Sequence, residues 1–214
     1  MESNDLNLGG QLLNALLAGN RHKSSQIIGS LAGTGLSVED IYEKYLKKSL
    51  YNIGELWESG KISVATEHLA SAIVESILNE MYSGIISKTK NNKTVIVASV
   101  ENEAHQIGIK MVADIFEMHG WNALFLGANV PAKDLVSFVD DIKPDYVALS
   151  MSLNIHLSTL ESTIKYIMAS NPSMKILVGG QGFRSGGKET LTKYPDVFYL
   201  EDLYNLDSFI KKIS

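Results

Sequence analysis

Cysteine is missing altogether from the 214 residues of this chain. Without a thiol it can form no disulfide, offers no thiolate to a metal and no thiol nucleophile, and cannot tether a haem or a bilin through a thioether. Basic charge is scarce: 19 Lys and Arg stand against 24 Asp and Glu, for a net charge of −5. No basic cluster exceeds the pair Lys47-Lys48, no helix-turn-helix candidate shows a basic recognition face, and no Lys or Arg precedes Arg21. A direct nucleic-acid surface is therefore not expected. No apolar run reaches membrane-spanning length, and the acidic start Met1-Glu2-Ser3-Asn4-Asp5 lacks a signal-peptide pattern. A cytoplasmic protein without a membrane partner is the expectation. What is present is ordinary for a globular chain, 45% hydrophobic and 20% charged, with length for one sizeable domain or two small ones.

The first eighty-odd residues have helical grammar. Leu12 to Leu17 forms a short amphipathic segment ending near Gly19, and a second helix is expected from about Lys23 to Leu31, closed by Gly33-Thr34-Gly35. Ser37 is a candidate N-cap, with Glu39 and Asp40 in the first turn where the helix dipole favours acids. Ile41, Tyr42, Tyr45, Leu46, Leu50, Ile53 and Trp57 then recur mostly at spacings of three and four, one face of a helix that Gly60 stops. A fourth helix is read from Val64 to Met81, with Leu69, Ala72, Ile73, Ile77 and Leu78 inward. Four helices with short loops predict a small antiparallel bundle over residues 1–87.

After a polar stretch, Lys88 to Lys93, suited to a linker, the pattern changes. Thr94–Ser99, Ala123–Leu126, Tyr146–Ser150, Lys175–Val178 and Val197–Leu200 read as strands, alternating with helices from Gln106 to Met118 and from Pro131 onward. Such alternation predicts an α/β domain over residues 93–214, a doubly wound, five-stranded parallel sheet of the flavodoxin or Rossmann-like kind. Ligands on these sheets bind outside the carboxyl ends of the strands.

Three motifs fall at those ends: Glu103-Ala104-His105-Gln106-Ile107-Gly108 after the first strand, Ser150-Met151-Ser152 after the third, and Gly179-Gly180 after the fourth. Forty-one residues separate Gly108 from Ser150, and twenty-six separate Ser152 from Gly179. This order and spacing resembles the cobalamin-binding domain of corrinoid proteins. The resemblance implies that His105 ligates cobalt from below, with Glu103 accepting from its second ring nitrogen, fixing the tautomer and strengthening the ligand. It implies that Ser150 either extends the relay to Glu103 or contacts the displaced dimethylbenzimidazole. Gly108 would let the helix backbone pass close to the corrin, and Gly179 and Gly180 would clear the nucleotide tail. The family usually has Asp at the position of Glu103 and often Leu at that of Ser152. His22 and His119 read as solvent-facing helix residues and His156 as flanking a helix start; none is assigned a function.

The helical half carries a second signal: Trp57, then nine residues, then Glu67-His68. The stretch from Gly54 to His68 resembles the cap of light-sensing cobalamin proteins of the CarH and AerR kind, and the two resemblances together span about residues 10 to 205. They imply adenosylcobalamin, with methylcobalamin the alternative, Trp57 stacked over the adenosyl group and Glu67 and His68 hydrogen bonding to it. Some members have His after the tryptophan as a light-state ligand; here Glu58 stands there, leaving His68 as the substitute. The output would pass to a transcriptional regulator or signalling protein, or through a change in homo-oligomeric state. The alternative is a corrinoid shuttle subunit of a methyltransferase system. A sensor with a second, non-covalent chromophore such as a bilin has no residue to support it. The chain is not expected to be an enzyme by itself, since radical isomerases need a substrate barrel it lacks.

Overall fold

In a computed structural model of the protein, residues 2–214 are described, with side chains from residue 8 onward. The chain divides into two compact units, Met1–Ile85 and Ile86–Ser214.

The first unit is built of four helical rods: α1 (Glu2–Leu17), α2 (Arg21–Ala32), a long third rod, and α5 (Val64–Ile85). The third rod starts as α3 (Val38–Asp40), winds as a π-helix over Ile41–Lys47 and continues as α4 (Lys48–Glu58). Ser37 caps it as expected, its hydroxyl accepting the Asp40 N–H at 3.1 Å. The π winding has a cause in the sequence. Ile41, Tyr45, Ser49 and Ile53 are all buried and recur every fourth residue, more than the 3.6 of an α-helix. The i→i+5 bonds of the π stretch absorb the excess and keep that row on one side. The inward face of α5 differs from the reading above: Ala70, Ile73, Val74, Ile77 and Leu78 are buried, whereas Leu69 is 49% exposed and Ala72 is exposed. Ile73, Ile77 and Leu78 are inward as expected, while Ala70 and Val74 replace Leu69 and Ala72; both sets satisfy three- and four-residue spacing, and packing chooses between them.

The second unit is a parallel sheet of β1 (Thr94–Ser99), β2 (Asn122–Gly127), β3 (Tyr146–Ser150), β4 (Lys175–Gly179) and β5 (Val197–Tyr199). Its order is β2-β1-β3-β4-β5, the flavodoxin-like doubly wound arrangement. The helices between are α6 (Ile107–Met118), α7 (Ala132–Ile142), α8 (Leu157–Ser170), the short α9 (Lys188–Leu191) and the final α10 (Leu203–Ile213). Pro131 caps α7 from just outside rather than opening it, its carbonyl accepting from Leu135 N–H at 3.0 Å. The apolar runs of β1, β3 and β4 are buried on both faces, as parallel strands between helix layers must be. The stretch 88–93 is not a free tether. Lys90 pairs with Glu117 at 2.5 Å, Asn91 N–H donates to Gly120 O at 3.0 Å, and a Cβ on Gly120 would lie 2.4 Å from Thr89 O. No helix among the described residues is long and apolar enough to cross a membrane.

Candidate functional site

Chain order reverses between β1 and β3, so the crevice outside their carboxyl ends is the place where this topology accepts ligands. The register sets Ser99 beside Ser150, and Ser150 beside Gly179, in one row across β1, β3 and β4. The loop from Val100 to Gln106 leaves the sheet at that row. It begins with a tight turn, Glu103 N–H to Val100 O at 3.0 Å, whose third residue, Asn102, has φ 67°. Val100 N–H is held by Ser150 O at 3.2 Å, and the buried Ser99 hydroxyl donates to His105 O at 2.7 Å.

Glu103 lies completely buried beneath this loop. One carboxylate oxygen accepts from the His105 backbone N–H at 3.1 Å and from the His105 Nδ1. The other accepts the Ser152 and Leu153 N–H groups at 2.8 and 2.9 Å. Burial pushes the carboxyl pKa up, but the bonds from the His105 ring, the His105 amide and the Leu153 and Ser152 amides outweigh it and lower it from 4.5 to about 2. An ionised carboxylate only accepts, so Nδ1 carries a proton, and in the neutral ring the lone pair is then on Nε2. The His105 side chain is 57% exposed, so the imidazole is held through Nδ1 while much of the ring faces solvent.

The relay differs in one respect from the sequence reading. Main-chain amides after β3, not the Ser150 hydroxyl, complete the carboxylate's shell; Ser150 is buried at the strand end and Ser152 contributes its N–H. The glycines differ too. A Cβ on Gly179 would stand 2.8 Å from Leu200 O, and one on Gly180, at φ 113°, 2.4 Å from Met151 O. Both are therefore demanded by the chain's own packing before any ligand is considered. Gly108 is the opposite: beyond its own helix, an added Cβ would meet no described residue within 4 Å, so packing among the described residues does not demand a glycine there. The room at Gly108, the buried carboxylate and the solvent-facing imidazole fit a ligand that takes one imidazole nitrogen.

Sequence reasoning missed Ser99 and the loop after β2, where Asn129 N–H donates to Glu103 O at 2.9 Å. Neither residue belongs to a recognisable motif; only the strand register brings them to the site. His119 is not solvent-facing but caps α6 and bonds Asp207 through Nε2 at 2.8 Å. His156 does flank α8, at its N-cap position.

In the helical unit, Trp57 lies in the last turn of α4 and is 45% exposed. That helix ends in a Schellman motif, with Gly60 N–H to Trp57 O and Lys61 N–H to Leu56 O both at 2.9 Å and Gly60 at φ 69°. Ser63 caps the next helix, accepting Thr66 N–H at 3.1 Å. In its first turns, His68 Nδ1 meets Glu67 Oε2 at 2.5 Å, and the Ser71 hydroxyl donates to Glu67 Oε1 at 2.7 Å.

A profile of the B12 binding domain matches residues 93–202, and a second of the same description matches residues 9–81. The chain belongs to the B12-binding domain family and is a cobalamin-binding protein. It resembles the HTH-type transcriptional repressor CarH of Myxococcus xanthus at 29% identity over 146 residues, 67% of this chain and 48% of that protein. The chain thus spans about half the length of that curated relative. It is also similar to trimethylamine corrinoid protein 1 of Methanosarcina mazei, 25% identical over 164 residues, 73% of this chain and 75% of that one. Among solved structures, the monomethylamine corrinoid protein of Methanosarcina barkeri shares the fold, with TM-score 0.79 at 15% identity, covering 95% of this chain and 96% of that one.

Proposed function

We propose that this protein is a cobalamin-dependent light sensor that prefers adenosylcobalamin, holds it through His105 and reports through the helical unit. The observation that carries the reading is the half-exposed indole of Trp57 at a helix end, close in sequence to the paired Glu67 and His68. A core anchor would be covered; Trp57 keeps a large apolar face available for stacking. When bound, cobalamin supplies a cobalt–carbon bond that light breaks. The protein's part is to fix the two faces. Glu103 would keep the proton on His105 Nδ1 and leave Nε2 to the cobalt. Trp57 would stack on the adenosyl group, and Glu67 and His68 would hydrogen bond to it. Loss of that group would free these side chains and bias the helical unit to a second arrangement, the kind of two-state element that ligands switch. The signal then passes to a transcriptional regulator or signalling protein, or to a change in homo-oligomeric state. In this reading the chain is a binder and not an enzyme.

A second reading, a corrinoid shuttle for methyl transfer, rests on the similarity to a trimethylamine corrinoid protein, 25% identical over 164 residues. One experiment separates them. Adenosylcobalamin is added in the dark, and absorption and elution volume are recorded before and after green light. The sensor gives a base-off, His105-dependent spectrum and a light-triggered change in elution that Trp57→Ala suppresses. Equal binding of methylcobalamin with no structural response to light supports the shuttle instead.

A further inference from the structure

The loop that presents His105 is fastened to the loop after β2 by a reciprocal clasp. Asn129 N–H donates to Glu103 O at 2.9 Å, and the Asn129 side-chain Oδ1 accepts the Asn102 N–H at 2.8 Å. Both asparagines are left-handed, at φ 51° and 67°, a conformation Asn tolerates better than most side chains. The next helix is tied to the same loop, since Ala132 N–H, in the first turn of α7, donates to Glu101 at 3.3 Å. Ser99 holds the far end of the loop at His105 O. Between these anchors lie Glu103 and Ala104, so the carboxylate and the imidazole are set by both ends of a short strap.

We propose that Asn129 is a positioning residue for the axial histidine: its side chain fixes the turn at Asn102 and thereby the placement of Glu103 under His105. This rests on His105 being the cobalt ligand. Its bonds are to the main chain of Glu103 and Asn102, so it acts through the backbone it holds. Its own N–H remains in any substitution but proline, and the side-chain oxygen is the part that can be removed.

The test compares Asn129→Gly, which keeps the left-handed backbone without strain but removes Oδ1, with Asn129→Asp, which keeps an acceptor and tolerates the same φ. Three quantities are read on the intact chain: the melting temperature, the tautomer of the His105 ring by NMR without cofactor, and binding of adenosylcobalamin in the dark. Asn129→Gly should leave melting within a few degrees of the parent, mix the two His105 tautomers, and weaken binding about fivefold, the effect of one net hydrogen bond. Asn129→Asp should restore both the Nδ1–H tautomer and the affinity. An unchanged ring and affinity in Asn129→Gly would overturn the proposal, as would an Asn129→Asp variant as impaired as the glycine. If the parent's binding is indifferent to His105→Ala, the ligand assignment itself fails and the clasp goes with it; the parent control keeps the two failures distinct.

Discussion

The chain carries two Glu–His pairs, and they are built in opposite ways. Glu103 is completely buried, and its oxygens take the His105 ring and amide together with two amides from the loop after β3. Glu67 remains partly exposed and is partnered by His68 and Ser71, both within about one turn of its own helix. His105 is 57% exposed and His68 74%. The first pair is preorganised by tertiary structure and suits a permanent ligand; the second is held only locally and is free to rearrange at small cost. In the proposed reading, the first pair grips the cofactor and the second responds to it.

Substitutions in the two regions should separate sharply in stability. The largest loss is expected at Gly180→Ala, because φ 113° and ψ 164° lie where essentially only glycine goes and the new Cβ would crowd Met151 O. Strain of this kind costs about 3 kcal/mol, seen as a lowered urea midpoint. Glu103→Ala should cost about 2 kcal/mol, because it removes the charged acceptor of the Ser152 and Leu153 amides, and, if His105 is the cobalt ligand, it should weaken cobalamin binding by about 10–100-fold as outer partners of metal ligands do. A Glu103→Ala variant as stable as the parent would erase the contrast between the two pairs.

Acid sharpens the same contrast. The Glu103 pKa falls from 4.5 to about 2 on folding, so the unfolded chain binds the proton first as pH drops. The stability this carboxylate contributes is complete above 4.5 and is lost as pH falls toward about 2. Urea midpoints measured across that window should decline less steeply in Glu103→Gln than in the parent. The smallest effects belong to the exposed groups. Glu67→Ala and His68→Ala should each stay within about 0.5 kcal/mol of the parent, and only cofactor titrations should reveal them. A destabilisation by Glu67→Ala matching that of Glu103→Ala would show the helical pair to be structural.

Much of the architecture was legible because it is written in local pattern. The apolar runs of β1 and β3 match the predicted strands residue for residue, since strands buried on both faces tolerate no polar interruption. The Ser37 cap and the Gly60 stop were equally visible, being matters of three or four neighbouring residues. On α5, Ile73, Ile77 and Leu78 face inward as read, but Leu69 and Ala72 do not, because neighbouring stripes satisfy helical spacing and only packing chooses between them. His119 was misjudged for a related reason: its partner Asp207 lies 88 positions away.

The sequence by itself therefore determined the two-part architecture, the positions of the strands and the residues of the motif, since each depends on short-range spacing and residue type. The tertiary structure decided how the motif is wired. Amides of Ser152 and Leu153 reach Glu103 across about fifty residues of chain, and Asn129 meets Asn102 across twenty-seven. The donors in these bonds are main-chain N–H groups, which carry no residue identity and leave no trace in the order of amino acids.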